Sequence, residues 1–389
     1  MNVLLTASGE GLGHASRMLA LYRELERRGI DSAVASYGRA LDYLKSFGVR
    51  AFSTRPEILM TGRDGRFDLA GSIIRSRGTP LDVAKAFVLE RRLIQKLRAD
   101  VVVSDTRFSA VLAAQSLGVP AFYVANQTRF ILPGEGDKER HRSLLGRMFR
   151  ASGIEKKVLE DIIDVPLSLP YPFAKEVLVP DFLPPNSLCL PLLSQEQSVR
   201  GKTRFVGPLS VLSSENVKPA RWASKKTRVL VTFGGQQFRE GEFRQVLESL
   251  SGLEEFDFLL ASIFVKKPFR KKNVRATPFL KSVFPSAASA DFLVRPAGHS
   301  GLMESILLQK PCLVIPDANW PEQESNASQF EKLGLGLALP LGEISLLPSR
   351  LRELRERRQE FLPIHRKLSL QAREEQNGAR NVAELCEFI

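Results

Sequence analysis

The stretch from Arg295 to Ala327 combines a glycine loop, an acid and amide side chains at spacings that suit a phosphorylated ligand. An apolar run ending at Val294 leads into Gly298-His299-Ser300-Gly301, which is predicted to open a helix. Free backbone N–H groups and the helix dipole at such a point form a seat for a diphosphate. Glu304, one turn later, can accept hydrogen bonds from both hydroxyls of a ribose. We therefore expect this stretch to bind a nucleotide.

A second polar group follows the next predicted strand of the same unit. That strand spans Pro311 to Pro316, and Glu322, Gln323 and Asn326 come after it. Ligands bind at the carboxyl ends of parallel strands, so we expect these side chains to lie beside the diphosphate seat and to contact a sugar. The combination indicates a sugar-nucleotide site. The alternative is an ordinary strand–helix unit with a glycine N-cap, which would explain each residue taken singly.

A further glycine loop lies near the amino terminus, after a short apolar strand predicted at Val3 to Thr6. It reads Gly9-Glu10-Gly11-Leu12-Gly13-His14 and superficially matches a dinucleotide-binding fingerprint. Nicotinamide enzymes need an acid at the end of the second strand to hold the ribose. Here that strand ends at Ser36-Tyr37, and the nearest acid, Asp31, lies at its beginning. The sequence therefore argues against an NAD-dependent oxidoreductase.

Alternating strands and helices must position these loops. In the first half of the chain, further strands are predicted at Ser32 to Ser36, Val101 to Val103, Pro120 to Val124 and Val177 to Phe182. The same rhythm restarts with a strand at Arg228 to Phe233, which leads into Gly234-Gly235. Such alternation with short glycine turns predicts a parallel, doubly wound α/β sheet in each half, that is, two Rossmann-like domains.

A domain boundary is predicted near Val206-Gly207-Pro208, between proline-rich turns and a polar stretch without clear periodicity. We therefore predict an amino-terminal domain over residues 1–208 and a carboxy-terminal domain over residues 209–365. Residues 366–389 are predicted to form a terminal helix. Two domains also agree with a chain of 389 residues, because one hydrophobic core rarely supports that length.

The composition is that of a globular protein and limits the range of partners. Charged residues make up 25%, and no apolar run approaches the roughly 18 residues needed to cross a bilayer. Three separated cysteines (Cys189, Cys312 and Cys386) suit a cytoplasmic location and predict neither disulfides nor a metal site. The net charge of +13 favours acidic partners such as nucleotide phosphates. No recognition motif for DNA or RNA accompanies it, so nucleic acid is not an expected partner.

The loops together resemble the donor half of the GT-B glycosyltransferases. The matching pieces are Gly298-His299-Ser300-Gly301 with Glu304, the Pro311 to Pro316 strand, and Glu322-Gln323 with Asn326-Ala327. They are most similar to the family of the peptidoglycan lipid-linked N-acetylglucosaminyltransferase (glycosyltransferase family 28 type) and its archaeal relatives. The resemblance implies two Rossmann-like domains with a cleft between them and a carboxy-terminal helix that crosses back. That family usually carries Ser or Thr where this chain has Gly301, and Ser300 is the candidate replacement.

The resemblance also implies roles on the donor side. Gly234 and Gly235 would let the backbone approach the phosphates, and the main chain around Leu280 would meet the base, which favours uracil and hence a UDP-sugar. It implies an inverting transfer. The chain has no Asp-x-Asp metal motif, so we expect no metal and no cofactor, with arginines and backbone dipoles stabilising the departing diphosphate.

On the acceptor side, the loop with His14 is similar to the Gly-x-Gly-His-x-x-Arg acceptor loop of the family. The residues predicted to contact the acceptor are Gly11, Gly13, Arg17 and Asn126. As a base, His14 would take the proton of the acceptor hydroxyl, since an unperturbed imidazole has a pKa of about 6.5. Asp105, at the end of its strand, is the candidate to fix the tautomer of His14. Alternatively, His14 caps the helix or binds an acceptor phosphate.

The remaining histidines are weaker candidates. His299 could touch the diphosphate, although its backbone N–H alone would serve. His141 and His365 are flanked by basic residues and are predicted to lie at the surface.

One segment raises the prospect of a membrane-borne, lipid-linked acceptor. Phe130 to Pro133 leads into Lys138 to Arg142, and further apolar residues are bracketed by Arg147 and Arg150. Such a patch suits an anionic membrane surface, with the protein peripheral on the inner face. The alternative is an amphipathic helix packed on its own domain.

Two other functions stay open. A UDP-sugar 2-epimerase would share the fold, although the acidic and arginine-rich signatures of that family after the donor loop are not present. A non-catalytic sugar-nucleotide-binding subunit would combine an intact donor site with an inert His14.

Overall fold

The computed structural model of the chain describes residues 1–57, 61–63, 66–68, 71–72, 79–129, 170–234 and 237–389. Within these residues the chain forms two seven-stranded sheets and one small hairpin. Three features of the sequence discussed above, namely Gly235, His141 and the segment from Phe130 to Arg150, lie outside the described residues.

The first sheet is parallel throughout and is wound in both directions from its first strand. The strands of this half are β1 (Asn2–Ala7), β2 (Asp31–Ser36), β3 (Ala51–Ser53), β4 (Gly62–Arg63), β5 (Arg66–Phe67), β6 (Val101–Asp105), β7 (Ala121–Val124), β8 (Glu176–Val179) and β9 (Thr203–Phe205). The sheet order is β3-β2-β1-β6-β7-β8-β9, and β4 and β5 form the separate antiparallel hairpin. The helices of this half are α1 (Gly13–Arg27), α2 (Gly38–Ser46), α3 (Thr79–Leu97), α4 (Phe108–Gln115) and α5 (Gln197–Arg200).

The second sheet repeats the plan with one antiparallel edge strand. Its strands are β10 (Thr227–Thr232), β11 (Phe256–Ala261), β12 (Phe269–Lys271), β13 (Val274–Thr277), β14 (Phe292–Arg295), β15 (Cys312–Val314) and β16 (Gly336–Ala338). The order is β12-β13-β11-β10-β14-β15-β16, and β12 pairs antiparallel with β13. The helices are α6 (Glu240–Leu250), α7 (Phe284–Ser289), α8 (His299–Leu307), α9 (Pro321–Lys332), α10 (Leu347–Glu356), α11 (Arg358–Glu374) and α12 (Gly378–Glu387). Short 3₁₀ helices span Leu190–Leu192, Val211–Ser213, Gln237–Arg239 and Leu341–Leu346.

The apolar strands explain why the sheets are parallel and covered on both faces. Five of the six residues of β1 are buried, as expected for a parallel strand with helices on both sides of the sheet. Buried apolar residues are continuous from Leu5 of β1 through Leu21 of α1 to Leu302 of α8 and Val382 of α12. The two halves therefore share packed side chains as well as a cleft.

The chain returns to the first half after the second sheet. Helix α11 packs against α8, and the chain then turns so that α12 packs against α1. Asn377 caps α12, because its side chain accepts a hydrogen bond from the backbone N–H of Arg380 over 3.2 Å. Gly207, which follows β9, packs against this turn: its φ is +89°, and a Cβ on it would lie 2.6 Å from the carbonyl carbon of Gln376.

This architecture confirms the predicted fold of two Rossmann-like halves with a returning carboxy terminus. Two details differ from the sequence prediction. The first sheet does not end with the predicted strand from Val177 to Phe182, because β8 ends at Val179 and β9 follows it in the sheet. The terminal segment is two helices, α11 and α12, instead of one. In the described ranges, no helix is long and apolar enough to cross a membrane.

Candidate functional site

The carboxyl ends of both sheets face one cleft. In the first sheet, Ala7 of β1 lies in register with Asp105 of β6, so the loop after β1 and the end of β6 are neighbours. In the second sheet, β10 and β14 are adjacent, which places the loops that follow them side by side. A cavity of about 270 Å³ lies between the two sets of loops. Of the predicted site residues, it is lined by Gly11, Gly13, His14, Arg17, Asn126, Gly234, Leu280, Gly298, His299, Ser300, Gly301, Glu304, Glu322 and Gln323.

His14 and Asp105 are in contact. Nδ1 of His14 lies 2.8 Å from Oδ1 of Asp105, and the Asp105 side chain is fully buried behind it. Nη2 of Arg17 also lies 2.8 Å from Nδ1, and because an arginine N–H can only donate, this contact and the one with Asp105 favour opposite tautomers of the ring. In the tautomer whose Nδ1–H donates to Asp105, Nε2 is the basic nitrogen. Burial alone would raise the pKa of Asp105, but the charge of Arg17 and the contact with His14 hold it well below its ordinary value. Asp105 is therefore ionised at neutral pH.

Arg17 holds the same carboxylate from the other side. Its Nε donates to Oδ2 of Asp105 over 2.7 Å and its Nη2 to Oδ1 over 2.8 Å, a bidentate pair. Its Nη1 donates to Oγ of Ser300 over 3.0 Å. The Arg17 side chain is almost completely buried. The structure thus places Arg17 between Asp105 and the opposite loop, and its predicted contact with an acceptor stays a prediction.

The first turn of α8 carries the predicted diphosphate seat. Gly298 is its N-cap and provides no side-chain cap, so the N–H groups of the first turn have no partner within the helix. Oγ of Ser300 donates to the carbonyl oxygen of Gly13 over 3.3 Å. A Cβ on Gly13 would lie only 2.9 Å from Oγ of Ser300. Gly13 therefore allows the two loops to approach each other.

The side chain of His299 faces the first half of the chain and is almost completely buried. Its Nε2 lies 3.3 Å from Oδ2 of Asp181. With Cys189, these residues form a buried group whose potential ligand atoms lie within 4.8 Å of one another. Oδ2 of Asp181 already accepts from Ser187 Oγ and from the Cys189 backbone N–H, each over 2.9 Å. This group therefore forms a packed contact between the two halves of the chain.

Glu304 lines the cavity one turn after the seat. Its Oε1 accepts from Oγ of Ser16 and its Oε2 from Nη2 of Arg295, each over 3.3 Å. Burial raises the pKa of Glu304, and the charge of Arg295 opposes that shift. Both contacts are long, so the carboxylate can exchange them for the hydroxyls of a ribose.

The predicted sugar-contacting residues divide into three roles. Glu322 reaches across the cleft, where its Oε1 accepts from Nδ2 of Asn126 over 2.8 Å. Gln323 lines the cavity, but its Nε2 donates to Oδ2 of Asp317 over 2.7 Å and its Oε1 accepts from the Asp317 backbone N–H over 3.1 Å. Asn326 is fully buried and donates to the carbonyl oxygen of Ala297 over 3.0 Å. It lies on the inner face of α9 and supports the loop before α8, so it does not face a sugar as predicted.

Several residues at the cleft were not predicted. Tyr43, Arg239, Arg295 and Trp320 also line the cavity. Arg239 is buried and donates from Nε to Oδ1 of Asp317 over 2.6 Å. Arg295 is the last residue of β14, and a cation at the carboxyl end of a strand beside a glycine loop is a sequence signal that could have identified it. Tyr43 lies on α2, far from any motif, and only the folded arrangement brings it to the cleft.

Two further predictions concern position. Leu280 lies in the loop after β13, which ends at Thr277, so the main chain that is expected to meet the base belongs to a loop. His365 is buried, contrary to the prediction that it lies at the surface, and its Nε2 donates to the carbonyl oxygen of Leu335 over 2.7 Å. Burial lowers the pKa of His365 to about 4.

Comparison with known proteins relates both halves of the chain to sugar-transferring enzymes. The family described as glycosyltransferase family 28 C-terminal domain matches residues 214–384, and the family described as glycosyl transferase family 1 matches residues 1–154. An "uncharacterized glycosyltransferase" of Methanosarcina mazei is 30% identical over 343 residues, which cover 87% of this chain and 86% of that protein.

A second relative matches over a shorter stretch. It is the UDP-N-acetylglucosamine–N-acetylmuramyl-(pentapeptide) pyrophosphoryl-undecaprenol N-acetylglucosamine transferase of Clostridioides difficile, 33% identical over 93 residues. That stretch covers 23% of this chain and 22% of the relative.

Solved structures share the fold over the whole chain. The kitacinnamycin glycosyltransferase has a TM-score of 0.68 at 18% identity, with 100% of this chain and 98% of that chain covered. The Streptomyces glycosyltransferase SsfS6, solved in complex with thymidine diphosphate, has a TM-score of 0.63 at 17% identity and full coverage of both chains.

Proposed function

This chain belongs to the GT-B glycosyltransferases of the family 28 type, and we propose that it transfers a sugar from a nucleoside diphosphate sugar to an acceptor hydroxyl. The observation that carries the proposal is the junction of the two loops. Arg17 contacts Asp105 over 2.7 Å and Ser300 over 3.0 Å, so the His14–Asp105 pair and the first turn of α8 meet in one cavity. A base and a diphosphate seat are thus close enough to act on one substrate.

The donor would lie along the second half of the cleft. The N–H groups at the start of α8 would bind the diphosphate, and Glu304 would accept the ribose hydroxyls. The base would lie against the loop around Leu280, where main-chain groups can pair with uracil, so UDP is the proposed nucleotide. The sugar would extend toward Glu322, the residue that lies between the donor loop and Asn126.

The proposed reaction is an inverting displacement. The acceptor oxygen forms a bond to C1 of the sugar on the face opposite the diphosphate, and the bond from C1 to the phosphate oxygen breaks. The hydroxyl proton passes to Nε2 of His14, while Asp105 holds the ring and stabilises its positive charge. The departing diphosphate gains its stabilisation from the N–H groups of α8 and from cationic side chains, so we propose that no metal is required.

A lipid-linked acceptor with a diphosphate is our proposal for the other substrate. It is supported by the relative from Clostridioides difficile, whose name contains a pyrophosphoryl-undecaprenol, and by the net charge of +13. Such an acceptor would bring the protein to an anionic membrane surface on the cytoplasmic side. Sedimentation with vesicles that contain anionic lipid, at low and high salt, tests this part separately. Failure to sediment at low salt would rule out the membrane surface.

The donor proposal is tested by incubating the protein with UDP-glucose, UDP-galactose and their N-acetyl forms and measuring the release of UDP. Water can replace the unknown acceptor, so slow release is expected from at least one donor. Release should depend on His14, and the matched measurement on His14→Ala distinguishes enzymatic turnover from spontaneous hydrolysis. Inversion of the configuration at C2 of the sugar without release of UDP would instead show that the protein is an epimerase.

A further inference from the structure

The guanidinium of Arg295 occupies the space that a side chain at position 301 would need. Gly301 is the third residue of α8, in the turn that forms the proposed diphosphate seat. A Cβ placed on Gly301 would lie 2.7 Å from Cζ and 3.0 Å from Nε of Arg295. The first distance is shorter than real Cβ atoms show, and the second is tighter than most of their contacts. The conformation of Arg295 therefore requires glycine at this position.

Arg295 differs from the other arginines at the cavity in how its donors are used. Arg17 and Arg239 each form a bidentate pair with a buried carboxylate, Asp105 and Asp317 respectively, and each has a third acceptor. Within the described part of the chain, the guanidinium of Arg295 forms one hydrogen bond, the 3.3 Å contact with Glu304. A guanidinium has five N–H donors. Arg295 thus keeps donors for a ligand, whereas the other two are committed to the protein.

The position of Arg295 relates these donors to one part of the substrate. It is the last residue of β14, and its guanidinium lies between Glu304, the proposed ribose acceptor, and the first turn of α8. In a nucleoside diphosphate, the phosphates follow directly after the ribose. The fork of an arginine suits bidentate binding of phosphate oxygens, and its charge balances the negative charge that develops on a departing diphosphate.

We propose that Arg295 binds the diphosphate of the donor and that Gly301 is the residue that makes room for it. This inference rests on the proposed function, because it assigns the cation that recognises the diphosphate in the same site. It also explains why this chain has no hydroxyl at position 301. A serine or threonine there would offer one neutral hydrogen bond to the phosphate, and Arg295 replaces it with a charged pair of donors.

The test compares the binding of UDP and of uridine by calorimetry in the wild type and in variants. In Arg295→Ala, UDP affinity should fall at least about tenfold while uridine affinity changes less than about threefold, because a charged hydrogen bond is lost only to the phosphates. Arg295→Lys keeps the charge but not the forked pair of donors, so its UDP affinity should lie between those of the wild type and of Arg295→Ala. Should the wild type prefer another base, GDP, ADP or dTDP with its nucleoside replaces UDP and uridine.

Two more variants test the link to Gly301. Gly301→Ser should displace the guanidinium and weaken UDP binding, whereas Arg295→Ala combined with Gly301→Ser should bind UDP at least about threefold more tightly than Arg295→Ala alone. The matched control is Arg228→Ala, because Arg228 pairs with Asp291 at the opposite end of the same sheet and is also half-buried. This control should leave the ratio of UDP to uridine affinity unchanged, and circular dichroism checks that each variant is folded.

The outcomes separate the inference from the function on which it rests. Equal losses of UDP and uridine affinity in Arg295→Ala, or wild-type UDP affinity in that variant, would overturn the role of Arg295 and leave the transferase proposal intact. A wild-type protein that binds no nucleoside diphosphate would overturn both.

Discussion

Nη1 of Arg17, in the first half of the chain, donates a hydrogen bond to Oγ of Ser300, in the second half, over 3.0 Å. The same guanidinium forms a bidentate pair with Asp105, whose Oδ1 lies 2.8 Å from Nδ1 of His14. One side chain therefore connects the proposed base to the proposed diphosphate loop. Changes at this junction should separate the chemical step from donor binding.

Replacement of Arg17 by alanine should reduce stability and turnover together. It leaves Asp105 buried without its cation, which costs about 3–5 kcal/mol of unfolding free energy, and it releases the carboxylate that holds His14. Urea unfolding and the rate of UDP release from a UDP-sugar measure the two effects. Arg17→Lys keeps the charge and should be intermediate in both.

The control for this variant is Arg23→Ala on the same helix. Arg23 forms a half-exposed ion pair with Glu215, so its loss should change the unfolding free energy by less than about 1 kcal/mol. An Arg17→Ala variant that unfolds like Arg23→Ala and turns over like the wild type would show that the junction has no functional role.

His14→Ala should abolish most turnover without changing the affinity for the nucleotide of the donor. A positioned base contributes about 10²- to 10⁴-fold to the rate, and His14 contacts no residue of the proposed nucleotide seat other than through Arg17 in the described part of the chain. The rate of sugar transfer or donor hydrolysis and the dissociation constant for UDP should therefore respond differently. A variant that keeps more than a tenth of the wild-type rate would assign His14 to acceptor binding and not to proton transfer.

Glu304→Gln should weaken the recognition of the ribose. The wild type should bind UDP more tightly than its 2′,3′-dideoxy analogue. The ratio of the two affinities should be about tenfold smaller in the variant, because a neutral amide accepts less strongly from hydroxyls. The raised pKa of Glu304 adds a pH dependence: ribose discrimination requires the ionised acid and should be lost on acidification at a higher pH than for an ordinary glutamate. Calorimetry at several pH values measures this. Identical discrimination in wild type and variant would remove Glu304 from the nucleotide site.

His365 should make the protein less stable in mild acid. Its pKa falls from about 6.5 to about 4 on folding, so between these values the unfolded chain binds the proton that the folded chain excludes. Stability contributed by this residue is therefore fully present above pH 6.5 and declines by about 3 kcal/mol as the pH falls to 4. Urea unfolding from pH 4.5 to 7.5 should give a flatter profile for His365→Gln, which keeps an N–H donor for Leu335. Parallel profiles would contradict this account.

Transfer should continue in the presence of EDTA. The proposed stabilisation of the departing diphosphate comes from the first turn of α8 and from Arg295, which lies beside Gly301. Rates of UDP release should agree within about twofold with and without chelator, and Arg295→Ala should lower both rates equally. A rate that vanishes with EDTA and returns with magnesium would contradict the proposed role of these groups.

Much of the fold could be predicted from sequence, because its signals are local. Buried apolar strands such as β1 and β10 run directly into glycine loops, and this pattern is sufficient to predict two parallel sheets and the sheet edge that carries the site. The edge strand β9 was missed, because three residues that include the exposed Arg204 carry too little periodicity.

The side-chain partners within the site were harder to predict. Asp105 could be placed near His14, since Asp105 ends one strand and His14 follows the adjacent parallel strand. That Arg17 holds Asp105 depends on how α1 lies against β6, and that Asn326 faces inward depends on the rotation of α9 about its own axis. His365 has basic neighbours in sequence, but the helix turns it toward Leu335 and away from them. Such orientations are determined by tertiary packing, and the local sequence does not specify them.

The most direct test of the central claim is a calorimetric titration of the wild type and of Glu304→Ala with UDP, GDP, ADP, dTDP, UMP and NAD. A sugar-nucleotide site at the first turn of α8 predicts tight binding of one nucleoside diphosphate, with UDP expected, and its loss in the variant. Binding of NAD alone, or of none of these nucleotides, would contradict the proposal that this cleft holds a nucleoside diphosphate sugar.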